Sequence, residues 1–347
     1  ITQGDKTSSS SVAISINSVN DVPTFDNLLS TYTVDENQTA VTSISASDVE
    51  DEALTISISG TDEASFNLSS SNVLTFVESP DYETQSSYSL VASVTDGIDT
   101  LNKDVTVNLN NLNDNLPVFT SSSSFSADEN QTAIGVVVAS DADGDSVTYT
   151  ASGSDILIDG GTGVITFSSA PDYETKTSFT STVTATDGLN SSTQDITIAV
   201  NNLNDNYPEL VSAAYFEVDE NQTSIGTISA TDADGDTLTY AISGSESSGI
   251  NIDPDSGVLT FVDAPDYETK TSYSFDGTVS DAPGRTVGFL VQIKLNNLND
   301  NSPIFSSDET FSIAENESSI GTASATDADT GSSVSYSVDN SVTQKVE

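Results

Sequence analysis

The chain has 347 residues, of which 35% are apolar, enough to supply cores for several small domains and too many for a disordered acidic tail. Its 54 acidic residues against 7 basic ones give a formal charge of −47, so its surface repels nucleic-acid phosphates and anionic membranes and attracts cations. Cysteine, histidine, methionine and tryptophan are all absent, which excludes disulfides, thiolate or imidazole catalysis and soft-metal sites.

Residues 1–22 come first. Thr2, Gln3 and Gly4 are in register with Thr95, Asp96 and Gly97, so this stretch is expected to be the last strand of a preceding module, running into the linker Asn20-Asp21-Val22 before Pro23. From there the chain is periodic. A Glu-Asn pair preceded by Asp or Ala recurs with its first residue at Asp35, Asp128, Asp219 and Ala314, 93, 91 and 95 residues apart. Pro-Asp-Tyr-Glu-Thr recurs at Pro80, Pro171 and Pro265, and paired acids recur as Asp48/Glu50, Asp141/Asp143, Asp232/Asp234 and Asp327/Asp329. Unrelated markers on one period define tandem modules of roughly 92 residues. The expected bounds are 23–116, 117–207 and 208–302, followed by the N-terminal part of a further module over 303–347. Glu347 aligns near Asn251, ahead of any counterpart to the rest of the module, so the segment reads as a fragment of a longer array.

Within each module the apolar residues alternate with period two. Val105, Val107 and Leu109 do so in the first, Val147, Tyr149 and Ala151 and then Ile196, Ile198 and Val200 in the second, and Leu238, Tyr240 and Ile242 in the third. Alternation rich in Val, Ile, Thr, Tyr and Phe and broken by Gly, Asp and Ser clusters is the strand signal, and no segment has a helical period. Several short strands per module predict an all-β fold: seven-stranded antiparallel Greek-key sandwiches in tandem. No apolar run approaches the roughly 20 residues of a membrane span, and no basic-then-apolar leader opens the chain, so this segment is not expected to insert into a membrane.

Between modules stands Asn110–Phe119, with close copies at Asn201–Leu210 and Asn296–Phe305. A repeated proline ends strands because it cannot donate to a ladder, which places these segments in linkers. The set formed by Asp-Glu-Asn, Pro-Asp-Tyr-Glu, Asn-Asp-Asn-x-Pro, Asp-Ala-Asp, the inner Ile252–Phe261 stretch and Val183–Gly188 resembles the motif series of cadherin repeats in their bacterial form. That resemblance covers nearly the whole chain. It implies cadherin- or Ig-like sandwiches arranged end to end as a rod, with about three calcium ions at each complete junction. The implied ligands at the first junction are Glu36, Asp81, Glu83, Asn113, Asp114, Asn115, Asp141, Asp143 and Asp187. At the second they are Glu129, Asp172, Glu174, Asn204, Asp205, Asn206, Asp232, Asp234 and Asp281. The third supplies Glu220, Asp266, Glu268, Asn299, Asp300, Asn301, Asp327 and Asp329, and a partial set ahead of the first module comprises Asn20, Asp21, Asp48, Glu50 and Asp96.

The chemistry of these side chains agrees. Calcium takes six to eight hard oxygen ligands from carboxylates, amides, carbonyls and water, and these positions offer nothing else. Seven carboxylates meet at the first junction, Glu36, Asp81, Glu83, Asp114, Asp141, Asp143 and Asp187, and three divalent ions would nearly neutralise them. The asparagines then act as neutral ligands where more acids would overcharge the site.

Some positions depart from the pattern. Asn111, Asn202 and Asn297 open the linkers where the family more often has aspartate, Val22 replaces an asparagine, and Asp-Ala-Pro-Gly at Asp281 replaces Asp-Gly. The Asp-Ala-Asp-Gly-Asp runs at Asp141 and Asp232 hint at EF-hand loops, but no glutamate stands at the twelfth position and no helices flank them. Paired acids such as Asp81/Glu83 invite a glycosidase reading, which their presence in every module opposes, so no enzyme is expected. Asn37, Asn67, Asn130, Asn190, Asn221 and Asn316 head N-x-Ser/Thr sequons, a pattern frequent by chance in a chain this rich in Ser and Thr.

Strand exchange anchored by tryptophan, as in vertebrate cell–cell cadherins, is not supported by a chain without tryptophan. The expected function is an extracellular stalk of a large bacterial adhesin or surface protein, at the cell surface or secreted, which presents a distal binding domain. Its partners would be calcium ions, and copies of itself or other surface proteins if the chain instead builds a filament or layer. A third reading is a glycan-binding module.

Overall fold

The computed structural model describes residues 2–4, 6–7, 9–329 and 331–339, and the alignment of Glu347 lies outside them. The chain divides into two compact units. One comprises Ile1–Ala127, Gln131–Ala170 and Ser178–Ala199; the other comprises Asp128–Asn130, Pro171–Thr177 and Val200–Glu347.

The first unit opens with a two-residue pairing, Thr2–Gln3 against Lys6–Thr7, and then runs through 9–23 with no strand. Val12, Ile14 and Ile16 in that stretch are more than four-fifths exposed. The first sandwich follows. One face is a four-stranded sheet in the order Thr31–Asp35, Thr100–Asn110, Ser87–Thr95, Thr55–Ser59, and the other is a three-stranded sheet of Ala40–Ser43, Val73–Phe76 and Phe66–Leu68. A short pairing of Thr24–Phe25 with Ala46–Ser47 extends the fold, so the first and second of its seven strands are each broken in two.

Alternation puts every second residue of these strands inside. Val105, Val107 and Leu109 line one inner face, and Leu74 and Phe76 line the other. Phe66 stacks on Phe76 with ring centroids 4.5 Å apart, and Tyr88 meets Phe76 edge-on at 5.0 Å. Each such fully buried side chain contributes roughly 1.5–3 kcal/mol.

One pairing departs from the antiparallel expectation. Thr31–Asp35 runs parallel to Thr100–Asn110, with Asp35 opposite Asn110. Alternation fixes which face a strand buries but is silent on its direction, so this pairing is invisible in the sequence. It also has a functional result: it carries Glu36 to the start of the linker.

The second sandwich repeats the antiparallel pairings in this unit. Ser178–Thr186 pairs with Ser191–Asn201 and with Thr148–Ala151, and Val164–Phe167 pairs with Ala133–Val136 and Ile156–Ile158. Gly163, at φ +71°, makes the turn into Val164; a Cβ there would lie 2.1 Å from the Val137 carbonyl oxygen, so only glycine fits.

The second unit contains the third sandwich, with the sheet order Tyr215–Asp219, Thr286–Asn296, Ser272–Ser280, Thr239–Ser243 and the same parallel pairing, here Asp219 opposite Asn296. Leu259, Val279, Val291 and Ile293 fill its core. Past the linker at Asn297–Asn301, Ile304–Phe305 pairs with Ala325–Thr326. No helix among the described residues is long and apolar enough to cross a membrane.

Candidate metal centres

In the first unit, Glu36 is 2% exposed and each of its carboxylate oxygens accepts one main-chain hydrogen bond. Oε2 accepts the Tyr82 N–H at 2.7 Å and Oε1 accepts the Leu112 N–H at 2.8 Å, so one side chain ties the Pro80–Thr84 turn to the linker. Asp81 shapes that turn by accepting the N–H of Glu83 at 3.0 Å and the Thr84 hydroxyl at 2.8 Å, which holds Glu83 toward Glu36. Oxygens of Glu36, Glu83 and Asp114 lie within 4.8 Å of one another. Partial loss of hydration raises the Glu83 carboxyl above its ordinary range, and the charges of Glu36 and Asp143 add to this.

On the far side of the linker, Asp143 Oδ2 accepts the main-chain N–H groups of Asp114 at 3.1 Å and Asn115 at 2.9 Å. The Asn115 amide donates to Asp143 at 2.8 Å, Asp114 at 3.0 Å and Glu83 at 3.2 Å, so its weakly positive NH2 sits among three carboxylates. Desolvation alone would raise Asp143; the donors from Asn115 and Asp114 outweigh it and lower the group. Asp141 Oδ1 accepts the Asp143 N–H at 3.0 Å, and Asp187 Oδ1 accepts the N–H groups of Leu189 and Asn190 at 2.7 and 2.6 Å.

The second unit repeats the arrangement twice. Glu129, 1% exposed, accepts the Tyr173 and Leu203 N–H groups, both at 2.7 Å, and its oxygens lie within 4.8 Å of those of Glu174, Asp205 and Asp234. Asp172 accepts the Thr175 hydroxyl at 3.0 Å, Asp234 accepts the Asn206 N–H at 2.9 Å, and Asp232 accepts the Asp234 N–H at 3.0 Å. Asn204 donates to Asp281 at 3.1 Å. In the next linker Glu220 accepts the Tyr267 and Leu298 N–H groups at 2.6 and 2.7 Å and clusters with Asp266 and Glu268. Asn301 donates to Glu268, Asp300 and Asp329 at 3.0, 2.9 and 2.9 Å, Asp327 accepts the Asp329 N–H at 2.9 Å, and Asn299 is exposed. Glu174 and Glu268 are raised like Glu83, by partial desolvation first.

The partial set ahead of the first sandwich also gathers. The Asn20 amide donates to Asp96 at 3.0 Å and Asp99 at 2.9 Å, Glu50 accepts the Asp21 N–H at 3.3 Å, and Asp48 accepts the Glu50 N–H at 2.9 Å. Val22 is exposed and offers no ligand.

Several side chains beyond the sequence expectation take part. Asp145 accepts the Asn113 amide at 2.7 Å and lies within 4.8 Å of Asp141 and Asp143; Asp236 holds the matching place beside Asp232 and Asp234 and accepts the Asn204 amide. The Asp-Gly-Asp spacing signalled them, although the EF-hand frame did not fit. Asn111 and Asn202 donate to the Asp143 and Asp234 carbonyls at 2.9 and 2.8 Å. Asn37, Asn130 and Asn221, all sequon residues at positive φ, donate their amides to Asp114, Asp205 and Asp300.

The donor set fits a hard cation. One carboxylate oxygen each of Asp48, Asp141, Asp187 and Asp232 is buried without a hydrogen-bond partner, where an unpaired charge is costly. Oxygens of this kind, clustered with ionised neighbours, match the six to eight ligands that calcium takes.

Tandem Ig-like sandwiches with an acidic seam at each linker define the class. The sequence model described as "Bacterial Ig domain" matches residues 113–199 and 204–294, just over half of the chain, and the chain belongs to that family. Its repeats are cadherin-like. Mouse cadherin EGF LAG seven-pass G-type receptor 2 is 30% identical over 363 residues, covering 94% of this chain and 12% of the receptor. The protocadherin-like wing polarity protein stan of Drosophila melanogaster is 31% identical over 370 residues, 94% of this chain and 10% of its own length. The chain thus spans about a tenth of these relatives. Among solved structures, the protocadherin GammaB4 extracellular domain superposes with a TM-score of 0.71 at 25% identity, covering 89% of this chain and 57% of that one. Mouse cadherin-23 EC22-24 gives 0.63 at 22% identity, covering 81% of this chain and all of that one, a likeness of fold.

Proposed function

We propose that the chain is a calcium-stiffened segment of an extracellular adhesion protein, with the ions bound at the acidic linkers. The observation that carries this reading is the recurrence of one constellation at three linkers, in which a buried glutamate, a Pro-Asp-Tyr-Glu turn and an Asp-x-Asp pair converge on Asn-Asp-Asn. Glu36, Asp81, Glu83, Asn113, Asp114, Asn115, Asp141, Asp143 and Asp187 would hold the ions at the first junction, with their counterparts at the others, about three per complete junction. Calcium would supply positive charge and flexible coordination of six to eight oxygens; the chain supplies buried glutamates that fix the turn and amides that orient the carboxylates.

The repeats then serve as spacer modules of about 35–45 Å each, given strands of seven to ten residues at roughly 3.3 Å per residue. As a stalk at the cell surface or on a secreted protein, the segment would hold a distal binding domain away from its anchor. The relatives are receptors and protocadherins, and the solved ones are extracellular domains, which favours an adhesive setting over an enzymatic one. Small-angle scattering tests the reading: with calcium the three complete modules should scatter as a rod, and with chelator as a bent ensemble of intact sandwiches. An identical profile in both buffers would refute it.

A further inference from the structure

One position distinguishes the junctions from one another. In the turn after Ser87–Thr95, Ser178–Thr186 and Ser272–Ser280, the first aspartate accepts a main-chain N–H from Asp99 at 2.8 Å, from Asn190 at 2.6 Å and from Arg285 at 2.6 Å respectively. Asp99, Asn190 and Arg285 therefore occupy one structural position with three different charges, and each side chain faces a linker. Asp99 accepts from Asn20 at 2.9 Å. The Asn190 amide donates to Asn113 Oδ1 at 2.7 Å and to the Asn115 carbonyl at 3.2 Å. Arg285, the only arginine in the chain, donates from Nη1 to the Asp205 carbonyl at 2.5 Å and lies over the Tyr207 ring, 5.0 Å from its centroid.

Two main-chain bonds seat Arg285 in the turn, its N–H on the Asp281 carboxylate and the Asp281 N–H on its carbonyl at 3.1 Å, and two contacts hold its guanidinium against the second linker, the Asp205 carbonyl and the Tyr207 face. A guanidinium never deprotonates in a protein and is weakly hydrated, so it serves as a permanent charge. Where Asn190 offers the first junction a neutral amide, Arg285 offers the second a fixed positive charge at the Asp205 carbonyl and near Asp281.

We propose that Arg285 is a tethered cation that replaces one calcium ion at the second junction. Resting on the calcium reading above, the inference makes the junctions unequal. The second binds fewer ions than the first, because a fixed charge a few ångströms from a divalent ion weakens its binding by at least roughly tenfold. It also keeps its linker more ordered when calcium is scarce, because part of the carboxylate repulsion is already compensated. A chain with graded junctions stiffens in steps as calcium rises.

The test uses the full chain as wild type, Arg285→Asn and Asn190→Arg. Equilibrium dialysis counts bound calcium, and hydrogen exchange follows peptides spanning Asn113–Asn115 and Asn204–Asn206 in chelator and along a calcium series, with core peptides as a folding control. In chelator the wild-type second linker should exchange more slowly than the first. Arg285→Asn should abolish that difference and raise bound calcium by one, whereas Asn190→Arg should protect the first linker and remove one ion. If calcium binds and Arg285→Asn changes neither its stoichiometry nor linker exchange, the inference about Arg285 fails and the calcium reading stands. If neither linker binds calcium, both fail.

Discussion

Asp143 grips Asn115 twice: its Oδ2 accepts the Asn115 main-chain N–H at 2.9 Å and its Oδ1 accepts the side-chain amide at 2.8 Å. Asp234 holds Asn206 at 2.9 and 3.0 Å, and Asp329 holds Asn301 at 2.9 Å twice. The linker is thereby fastened to the sandwich that follows it, while Glu36, Glu129 and Glu220 fasten it to the Pro-Asp-Tyr-Glu turn.

Replacing Asp143 or Asp234 by Ala should therefore act locally. Calcium binding at the altered junction should weaken by at least the roughly tenfold to hundredfold loss that follows removal of an outer partner of a metal ligand. The other junction should change little, since sites a module apart share no partners. Calcium titrations followed by hydrogen exchange at each linker read this, and equal weakening at both junctions would refute the assignment.

Glu36→Ala has a second consequence, separable from calcium. It strands the part-buried N–H groups of Tyr82 and Leu112, each costing up to about 3 kcal/mol, so the first sandwich should lose up to about 6 kcal/mol even in chelator. Slow exchange of the amides of Leu90, Val105 and Val107 should become faster while that of Leu259 and Ile293 does not.

Much of this was legible in the sequence. Val105, Val107 and Leu109 alternate and are buried, and the period brought Glu36, Glu83 and Asp114 to one place because the motif spacing reflects where strands end. What was not legible depends on partners. The parallel pairing of Thr31–Asp35 with Thr100–Asn110 leaves no mark on either strand's own pattern. Asp99, Asn190 and Arg285 lie in turns whose lengths and residues vary between repeats, and only the fold places them at the same position.

Acid should release calcium in a definite order. Glu83, Glu174 and Glu268 are raised above the ordinary glutamate value of 4.5, so as pH falls they take up protons before an ordinary glutamate would. Their protonation relieves repulsion in the calcium-free protein, whose stability therefore falls as pH rises from about 4.5 through the raised range, the native state being the one that holds the extra protons. Protons and calcium compete for these oxygens, so calcium affinity should decline on acidification starting above pH 4.5. Asp143, Asp234 and Asp329 are lowered and stay charged further down. Replacing Glu83 by Gln should remove the earliest part of this decline at the first junction, as measured by calcium titration across pH 4 to 7.

Limited proteolysis with mass spectrometry tests the central claim, that calcium locks the linkers between sandwiches whose apolar cores stand without it. In millimolar calcium the linkers should resist cleavage, because ligation fixes their backbone. In chelator, cuts should fall near Asn113, Asn204 and Asn299 and leave sandwich-sized fragments, because fixed carboxylates repel one another once the ions leave. Cuts inside the sandwiches, or the same linker pattern in both buffers, would contradict the account.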